Sequence, residues 1–270
     1  MKNENPALPL NADRVKSALA GHSTDFSVHV FDQLDSTNSY LMQLASRGAR
    51  HATCIVAERQ TAGRGRHGRY WISTPCGSLT FSLLWRFAKP IPFLEGLSLA
   101  AGVAIVRALR ELGMNKVELK WPNDILHQYH KLAGVLIESG SEPHGMSYAV
   151  IGVGINIHLT DHARSDIGQA VTDWTEIMQF PIDRNTLLIH LLANLAEVFG
   201  QFGESGLSAL RQEWNDYHAY QDTDVRLVSP DRSEFYGRVK GIADNGALLL
   251  VTSQGEKRYN VGEISLRAAQ

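Results

Sequence analysis

The sequence predicts an α+β protein in which helices pack on a mixed sheet and a small β-barrel follows. Helical and strand-like patterns alternate up to about residue 218, which indicates a layered domain. From residue 219 the chain consists of short strand-like runs separated by turns, and Asp244-Asn245-Gly246 is a strong hairpin signal. Such a series of short strands is typical of a small barrel. We therefore expect one domain over 26–218 and a second over 219–270.

Composition places the chain among ordinary globular proteins. Of its 270 residues, 44% are hydrophobic and 20% charged, and its formal net charge of −2 gives no global field to recruit nucleic acid. Its two cysteines, Cys54 and Cys76, form no C-x-x-C motif, so a reducing compartment is expected rather than a disulfide framework. There is no signal-peptide core, and no uninterrupted apolar run reaches membrane-spanning length. These features predict a cytoplasmic protein without a membrane segment.

The N-terminal segment, residues 1–25, holds one short amphipathic helix, Ala12 to Leu19. One such helix is too little for a helix-turn-helix, which needs a packed three-helix unit or similar. Alternation from Ser27 to Phe31 then predicts the first strand. We expect no DNA-binding domain in this segment.

A helix follows the first strand, and polar residues mark its beginning. Asp35 or Ser36 can cap it, and Gly48 fits its C-terminal stop. Ser36, Thr37 and Asn38 therefore lie at a helix N-terminus, where polar or anionic groups can be held. Helix capping alone would explain only one of these three polar residues.

The remaining elements follow from periodicity. Leu97 to Leu112 is a long amphipathic helix ended by Gly113, and a second helical pattern runs from Asn185 to Trp214. Trp121-Pro122 marks a turn or an edge, because proline cannot donate to a ladder. Further strands are predicted at 53–57, 78–85, 117–120, 131–138, 148–153, 224–228, 235–242, 247–252 and 257–261.

The segment Gly63-Arg64-Gly65-Arg66-His67-Gly68-Arg69 combines three glycines with three arginines and contains no acid. Glycine lets the backbone turn and approach a ligand closely, and the arginine fork suits phosphate or carboxylate. We interpret the segment as a loop that closes over an anion, in preference to a solvated basic loop. The segment matches the G-x-G-x-x-G pattern of dinucleotide-binding proteins, which requires a helix directly after it. Because Tyr70-Trp71-Ile72 does not begin a helix, we reject the dinucleotide-binding interpretation.

The other polar residues favour electrostatic stabilisation of phosphoryl or nucleotidyl transfer over acid–base hydrolysis. Lys131 is the first residue of an apolar strand, where its compact charge could act on a reacting centre. A lysine in this position is more often solvated and protects the end of a strand from pairing with another chain. Gly134 in the same strand indicates close approach of a ligand or backbone, and Asn156 follows a Gly-x-Gly turn. His127 and His130 lack a third metal ligand, so no metal-binding residue is assigned directly.

Six segments, taken together and in this order, resemble the biotin protein ligases. One alone would be only suggestive, but the six are specific and cover nearly the whole chain from about Phe31 on. The chain is similar to the form of this family that lacks the N-terminal DNA-binding domain, because it begins too close to the catalytic segments to hold a winged helix-turn-helix. The segments are Asp35-Ser36-Thr37-Asn38, Gln60 to Arg69 with Trp71, Lys120-Trp121-Pro122-Asn123-Asp124, Lys131-Leu132-Ala133-Gly134, Gly152-Val153-Gly154-Ile155-Asn156 and Gly262-Glu263-Ile264-Ser265-Leu266-Arg267.

The resemblance implies a mixed-sheet catalytic domain of the biotin/lipoate-ligase type followed by an SH3-like β-barrel. It implies a two-step reaction that needs biotin, ATP and Mg²⁺. The carboxylate of biotin attacks the α-phosphate of MgATP, which gives biotinyl-5′-AMP and pyrophosphate. A specific lysine of a biotin carboxyl carrier protein, such as that of acetyl-CoA carboxylase, then attacks the mixed anhydride and AMP leaves. Transcriptional repression, DNA binding and membrane binding are not expected.

The resemblance also implies residue roles. Arg66 and Lys131 would be catalytic, because they supply positive charge where carboxylate and phosphate meet. His67 is a departure, since family members often have another arginine there. The implied biotin-binding residues are Ser36, Thr37, Asn38, Gln60, Arg64, Gly65, Arg66, Lys131 and Gly134. The implied nucleotide-binding residues are Arg66, Arg69, Trp71, Asn123, Asp124, Lys131, Asn156 and Arg267.

Three alternatives stay open on the sequence. A ligase for lipoate or another acyl acid would share the architecture, but the arginine-glycine loop argues against it. A biotin or nucleotide sensor without ligase activity would have no use for Lys131. Nucleic-acid binding through the basic loop is discouraged by the net charge. The oligomeric state is a monomer or a homodimer, and a dimer would pair exposed sheet edges.

Overall fold

The computed structural model describes residues 8–229, 232–260 and 265–268. Its largest element is a seven-stranded sheet with the order β1-β2-β3-β7-β6-β5-β4. The β1–β2 pair is parallel and the other neighbouring pairs are antiparallel, so the sheet is mixed as predicted. The strands are β1 Ser27–Leu34, β2 Thr53–Gln60, β3 Ser78–Phe87, β4 Val117–Lys120, β5 Asp124–His127, β6 His130–Ser141 and β7 Ser147–Asn156.

Helices cover both faces of this sheet. On one face α3 (Leu97–Glu111) and α6 (Arg184–Ser205) pack against each other and form the main core. On the other face α2 (Thr37–Ser46) packs through Leu41 on Ile55 and Leu84. The shorter helices are α1 Ala12–Leu19, α4 Asp161–Ile167, α5 Trp174–Met178 and α7 Arg211–Asp216.

The second sheet has five strands in the order β11-β10-β9-β8-β12, and all its neighbouring pairs are antiparallel. The hairpin predicted at Asp244-Asn245-Gly246 joins β9 to β10, and Gly246 adopts a φ of +83°. The α+β fold class, with a small β domain after a mixed-sheet domain, is confirmed. The strands are β8 Asp224–Val228, β9 Glu234–Ile242, β10 Leu248–Thr252, β11 Gly255–Tyr259 and β12 Ser265–Ala268.

The two sheets are joined by short connections and by side-chain contacts. The chain passes from α7 to β8 between residues 216 and 224, and the predicted boundary between residues 218 and 219 falls within this connection. The indole of Trp121, at the turn after β4, donates to the carbonyl oxygen of Gly246 at 3.0 Å. This contact brings the C-terminal strands close to the β4–β5 turn.

Several elements differ from the sequence prediction. The continuous helix from Asn185 to Trp214 is wrong, because Gly206 (φ +64°) ends α6 and a 3-10 turn, Gly206–Ala209, precedes α7. Gly152 and Gly154 form no Gly-x-Gly turn, since β7 continues through both. Strand β5 and helices α4 and α5 were not predicted, and each has at most seven residues, too few for a clear periodic signal.

Part of the sixth segment, Gly262 to Ile264, and Val261 of the predicted 257–261 strand lie outside the described residues. The stretch Arg184–Ala209 is long and apolar enough to cross a membrane by length and composition. Its apolar residues, among them Leu188, Leu191 and Leu195, are buried in the main core. Such burial is typical of the central helix of a globular domain.

Candidate active site

A cleft of about 500 Å³ opens on the α2 face of the large sheet. All the predicted site residues line this cleft except Asp124. Asp124 contacts Lys131, which is one of the lining residues. The sequence therefore identified side chains that converge on one cleft, and their individual roles stay predictions. The predicted residues that line it are Ser36, Thr37, Asn38, Gln60, Arg64, Gly65, Arg66, Arg69, Trp71, Asn123, Lys131, Gly134, Asn156 and Arg267.

One end of the cleft is formed by the N-terminus of α2. Ser36 caps the helix, its hydroxyl accepting from the Ser39 amide at 3.4 Å. The Thr37 amide and hydroxyl both donate to Gln60 Oε1, at 2.8 and 3.1 Å. Ser36, Thr37 and Asn38 are buried although polar. Buried polar groups that are hydrogen-bonded hold one geometry, so this end is preorganised.

Asn38 is held from three sides. Its Nδ2 donates to Glu138 Oε2 at 3.1 Å and to the Leu136 carbonyl at 3.4 Å. Its Oδ1 lies 2.6 Å from the hydroxyl of Ser82, a fully buried residue of β3. Behind it a Cβ on Gly152 would come within 2.2 Å of Oδ1. Glycine at position 152 is thus required for Asn38 to occupy this place.

Trp71 also occupies space that a glycine of β7 leaves open. A Cβ on Gly154 would come within 2.4 Å of Trp71 Cε2, so the indole packs directly on the strand backbone. The Trp71 Nε1 donor is buried and has no acceptor among the described residues. A buried donor without a protein acceptor can be satisfied by a bound molecule.

The arginine-glycine loop is closed by its own backbone. The Gly65 amide donates to the Arg69 carbonyl at 2.7 Å, and the Trp71 amide donates to the Gly63 carbonyl at 2.9 Å. A Cβ on Gly63 would come within 2.4 Å of the Trp71 oxygen, which accounts for glycine there. His67, at the tip of the loop, adopts a φ of +55° and is exposed to solvent. The loop therefore arches beside the cleft with its arginines at the rim.

Lys131 and Arg66 form a second group in the lining, which we call the cationic end of the cleft. Lys131 Nζ pairs with Asp124 Oδ1 at 2.7 Å, and both side chains are only 15% exposed. Arg66 Nη1 donates to Asn123 Oδ1 at 3.2 Å. Burial lowers the pKa of Arg66, with Asp124 opposing this shift and Arg69 adding to it. The guanidinium stays charged at neutral pH, since arginine side chains are not deprotonated in proteins.

Lys120, which the sequence did not predict as a site residue, adds a further positive charge. Burial lowers the pKa of Lys120, and the neighbouring charges of Arg267, Lys131 and Arg69 lower it further, while Asp124 raises it. Arg267 thus acts on this end from β12 of the small domain. Positive charge exceeds negative charge here, which suits the binding of a polyanion.

Asn123 and Asn156 also support the strands that carry the cations. Asn123 Nδ2 donates to the Val135 carbonyl at 2.8 Å. Asn156 Nδ2 donates to the carbonyl oxygens of Lys131 and Thr172, at 3.3 and 3.1 Å. Both amides therefore fix the backbone of β6, Asn123 at Val135 and Asn156 at Lys131.

Sequence reasoning missed several residues of the site. Glu138 and Ser82 were not singled out, because their partners lie far away in the chain; alternation along β6 from Gly134 through Leu136 could have indicated Glu138. The stretch from Asp166 to Gln169, together with Val171, also lines the cleft and gave no sequence signal. No cluster of three or more potential metal ligands occurs within the described residues.

Comparison with known proteins identifies the family. The family model described as the biotin/lipoate A/B protein ligase family matches residues 30–156, and that of the biotin protein ligase C-terminal domain matches residues 224–267. The chain is 36% identical over 98% of its length to the bifunctional ligase/repressor BirA of Escherichia coli, of which it covers 80%. It is 32% identical to the biotin–[acetyl-CoA-carboxylase] ligase of Mycobacterium tuberculosis, with 90% of each chain covered.

Solved structures agree with this assignment. The biotin protein ligase of Aquifex aeolicus in complex with biotin and ATP superposes with a TM-score of 0.76 at 29% identity, covering 90% of this chain and 99% of that one. A likeness over 90% of this chain shows that the two proteins share their fold. The chain belongs to the biotin protein ligase family.

Proposed function

We propose that this chain is an ATP-dependent ligase that attaches biotin to a lysine of a biotin carboxyl carrier protein. In the first step an oxygen of the biotin carboxylate attacks the α-phosphate of ATP, and the bond to the β-phosphate breaks to release pyrophosphate. In the second step the uncharged amine of the acceptor lysine attacks the carbonyl of biotinyl-5′-AMP. An amide forms, AMP leaves, and the amine gives up a proton.

The observation that carries the proposal is the division of one cleft into two unlike ends. The satisfied polar cap at Ser36, Thr37 and Asn38 suits the uncharged ureido head of biotin, which presents both donors and acceptors. The cationic end at Arg66 and Lys131 suits the meeting of a carboxylate with a triphosphate, because two anions repel each other in water. A biotin molecule that spans the two ends brings its carboxylate to the cations.

Lys131 is proposed to stabilise the charge that develops on the transferring oxygens. Its ammonium is fixed by Asp124 and lies 5.8 Å from the Trp71 ring centroid, so it is held in place before substrate arrives. Preorganised charge of this kind lowers a barrier without reorganisation during the reaction. Arg64, Gly65 and Arg66 are proposed to hold the biotin carboxylate and the α-phosphate, with Gln60 and Gly134 completing the biotin pocket.

The nucleotide is proposed to lie along Arg69, Trp71, Asn123 and Asn156, with Arg267 reaching it from β12. Mg²⁺ is proposed to arrive bound to the phosphates, since this ion usually keeps several waters and few protein ligands. The arginine-glycine loop is proposed to close over the adenylate, exclude water and hold the adenylate for the acceptor.

The cellular setting completes the proposal. We expect a cytoplasmic enzyme whose acceptor is the carrier protein of acetyl-CoA carboxylase, as the names of curated relatives indicate for those proteins. Residues 8–26 contain a single helix, α1; DNA binding and repression form no part of this proposal. A monomer or a homodimer is compatible with the reaction.

The decisive experiment titrates the protein with biotin and, as a control, with lipoate by calorimetry, then adds MgATP and measures pyrophosphate. We expect biotin-specific binding and release of one pyrophosphate per site. Binding without pyrophosphate would identify a sensor, and preference for lipoate would identify a different acyl substrate.

A further inference from the structure

We propose that Glu138 is a positioning residue that holds Arg64 and Asn38 in register, so that recognition of the biotin head group and of its carboxylate is coupled. The inference rests on the proposed function, because it concerns how the same cleft holds biotin. Neither Arg64 nor Asn38 is fixed in its geometry by sequence neighbours alone. A carboxylate from a distant strand links them.

The carboxylate of Glu138 contacts both side chains at once. Oε1 accepts from Arg64 Nη2 at 2.9 Å. Oε2 accepts from Arg64 Nη1 at 3.3 Å and from Asn38 Nδ2 at 3.1 Å. One group therefore ties the arginine-glycine loop to the N-terminus of α2, across 74 residues to one and 100 to the other.

Asn38 depends on this carboxylate for its orientation. The amide is 3% exposed, and its oxygen lies against the Ser82 hydroxyl. If Glu138 is removed, the amide nitrogen keeps only the 3.4 Å contact with the Leu136 carbonyl. A buried donor left with one long hydrogen bond loses most of its stabilisation, and the amide can then rotate. Rotation would place the amide nitrogen, a donor, where the oxygen now faces the Ser82 hydroxyl.

Arg64 depends on it for a different reason. Its side chain lies between two glycines on the loop and is 46% exposed, so many rotamers are accessible. A half-exposed ion pair adds little to folding stability. Two parallel contacts to one carboxylate instead restrict the plane of the guanidinium. Ser39 Oγ accepts from Nη1 at 3.1 Å and restricts it further, which leaves the orientation of the remaining donors defined.

The position of Glu138 on β6 fits this role. Gly134, Leu136 and Glu138 alternate along the strand and so share one sheet face. Gly134 and Leu136 line the cleft, and Glu138 lies next to them at its rim. Glu142, just beyond the end of β6, offers a matched comparison, because it pairs with Arg86 at 2.7 Å and neither residue lines the cleft.

The test measures ligand affinity in Glu138→Ala, Glu138→Gln and Arg64→Ala, with Glu142→Gln as the control. Calorimetry gives Kd for biotin and for biotinol, in which an alcohol replaces the carboxylate, and initial rates give KM for ATP. Glu138→Ala is expected to weaken biotin roughly tenfold, as loss of a charged hydrogen-bond partner should. Biotinol should be weakened by less, because it lacks the carboxylate that Arg64 is proposed to hold, and equal losses would contradict the coupling. The KM for ATP should stay unchanged, and Glu138→Gln should fall between wild type and Glu138→Ala.

A double-mutant cycle distinguishes coupling from coincidence. The biotin losses of Glu138→Ala and Arg64→Ala should be non-additive, since one acts partly through the other. Additive losses, unchanged affinity for both ligands, or a loss for biotin without a loss for biotinol would each overturn the inference. A parallel rise in the KM for ATP would show a general structural defect and overturn it as well. If the wild-type protein binds no biotin, the proposed function fails instead.

Discussion

The two ends of the cleft are built in opposite ways. Around Asn38 the polar side chains are buried and satisfied by one another, through Gln60, Ser82 and Glu138. Around Lys120 three cations and one carboxylate act on the same group, so positive charge is in excess. The first end is hydrogen-bonded within itself, whereas the second has an excess of positive charge that an anion would balance. In the proposed reaction the first end would serve biotin binding and the second the chemistry.

This contrast has a measurable consequence. Changes at the satisfied end should alter biotin affinity and leave the nucleotide constants unchanged, because the network there is local. Changes at the cationic end should alter the rate of adenylation or the fate of the adenylate more than the affinity for biotin. Each of the following variants tests whether the two ends are in fact separable.

The largest effect is expected for Lys131→Ala. It removes the charge proposed to act in the transition state and leaves Asp124 without its partner. Single-turnover pyrophosphate release should slow by about 10²–10³-fold, as for other preorganised groups. Lys240→Ala, which removes a lysine paired with Glu256 on the surface of the small domain, should leave the rate unchanged. A near-normal rate in Lys131→Ala would show that charge excess at this end does not drive chemistry.

Two glycine-to-alanine substitutions in β7 should distinguish the effects of the two ends of the cleft on ligand binding. The added Cβ of Gly152→Ala would meet Asn38 at 2.2 Å, and that of Gly154→Ala would meet Trp71 at 2.4 Å. Overpacking of this kind costs about 1–3 kcal/mol, which corresponds to about fivefold to 150-fold in affinity if the strain falls on the bound ligand. Gly152→Ala should raise Kd for biotin, and Gly154→Ala should raise KM for ATP, measured by calorimetry and initial rates.

Gly200→Ala is the control, because no atom lies within 4 Å of a Cβ there and alanine is the better helix former. Its ligand constants should equal those of the wild type. If both cleft variants weaken both ligands equally, the two ends act as one unit and the comparison fails.

The sequence predicted the parts of this site that depend on neighbouring residues. The helix cap at Ser36 and the arginine-glycine loop are local patterns whose physical meaning does not require the fold. Glu138 was missed because its partners are 74 and 100 residues away. Gly152 and Gly154 were misinterpreted as a turn, because only the sheet register shows that their missing Cβ atoms make room for Asn38 and Trp71. Pairing across strands, rather than residue type, carried that information.

Arg66→Gly should affect retention rather than formation of the adenylate. The guanidinium lies at the cationic end beside Asn123, and its loss removes part of the field that holds the phosphate. We expect biotinyl-5′-AMP to dissociate about tenfold faster, which corresponds to one lost charged hydrogen bond. Pulse-chase release of labelled adenylate measures this, and biotinylation of an unrelated lysine-rich protein should increase in parallel. Unchanged release would assign the holding role to other parts of the loop.

The smallest effect is a proton taken up at Lys120. Burial and the charges of Arg267, Lys131 and Arg69 lower the pKa of this lysine, so at alkaline pH part of it is uncharged. Bound pyrophosphate neutralises those cations and raises the pKa, so binding takes up a fraction of a proton when the pH lies between the two values. Calorimetry of pyrophosphate binding in buffers of different ionisation enthalpy should show this uptake growing as the pH rises from neutral into the alkaline range. Pyrophosphate exchanges protons of its own at alkaline pH, so Lys120→Met supplies the baseline. The wild type should take up more protons than this variant, and biotinol binding should show no such excess. Equal uptake with biotinol would mean that the field reaches both ends of the cleft, and the distinction between them would no longer hold.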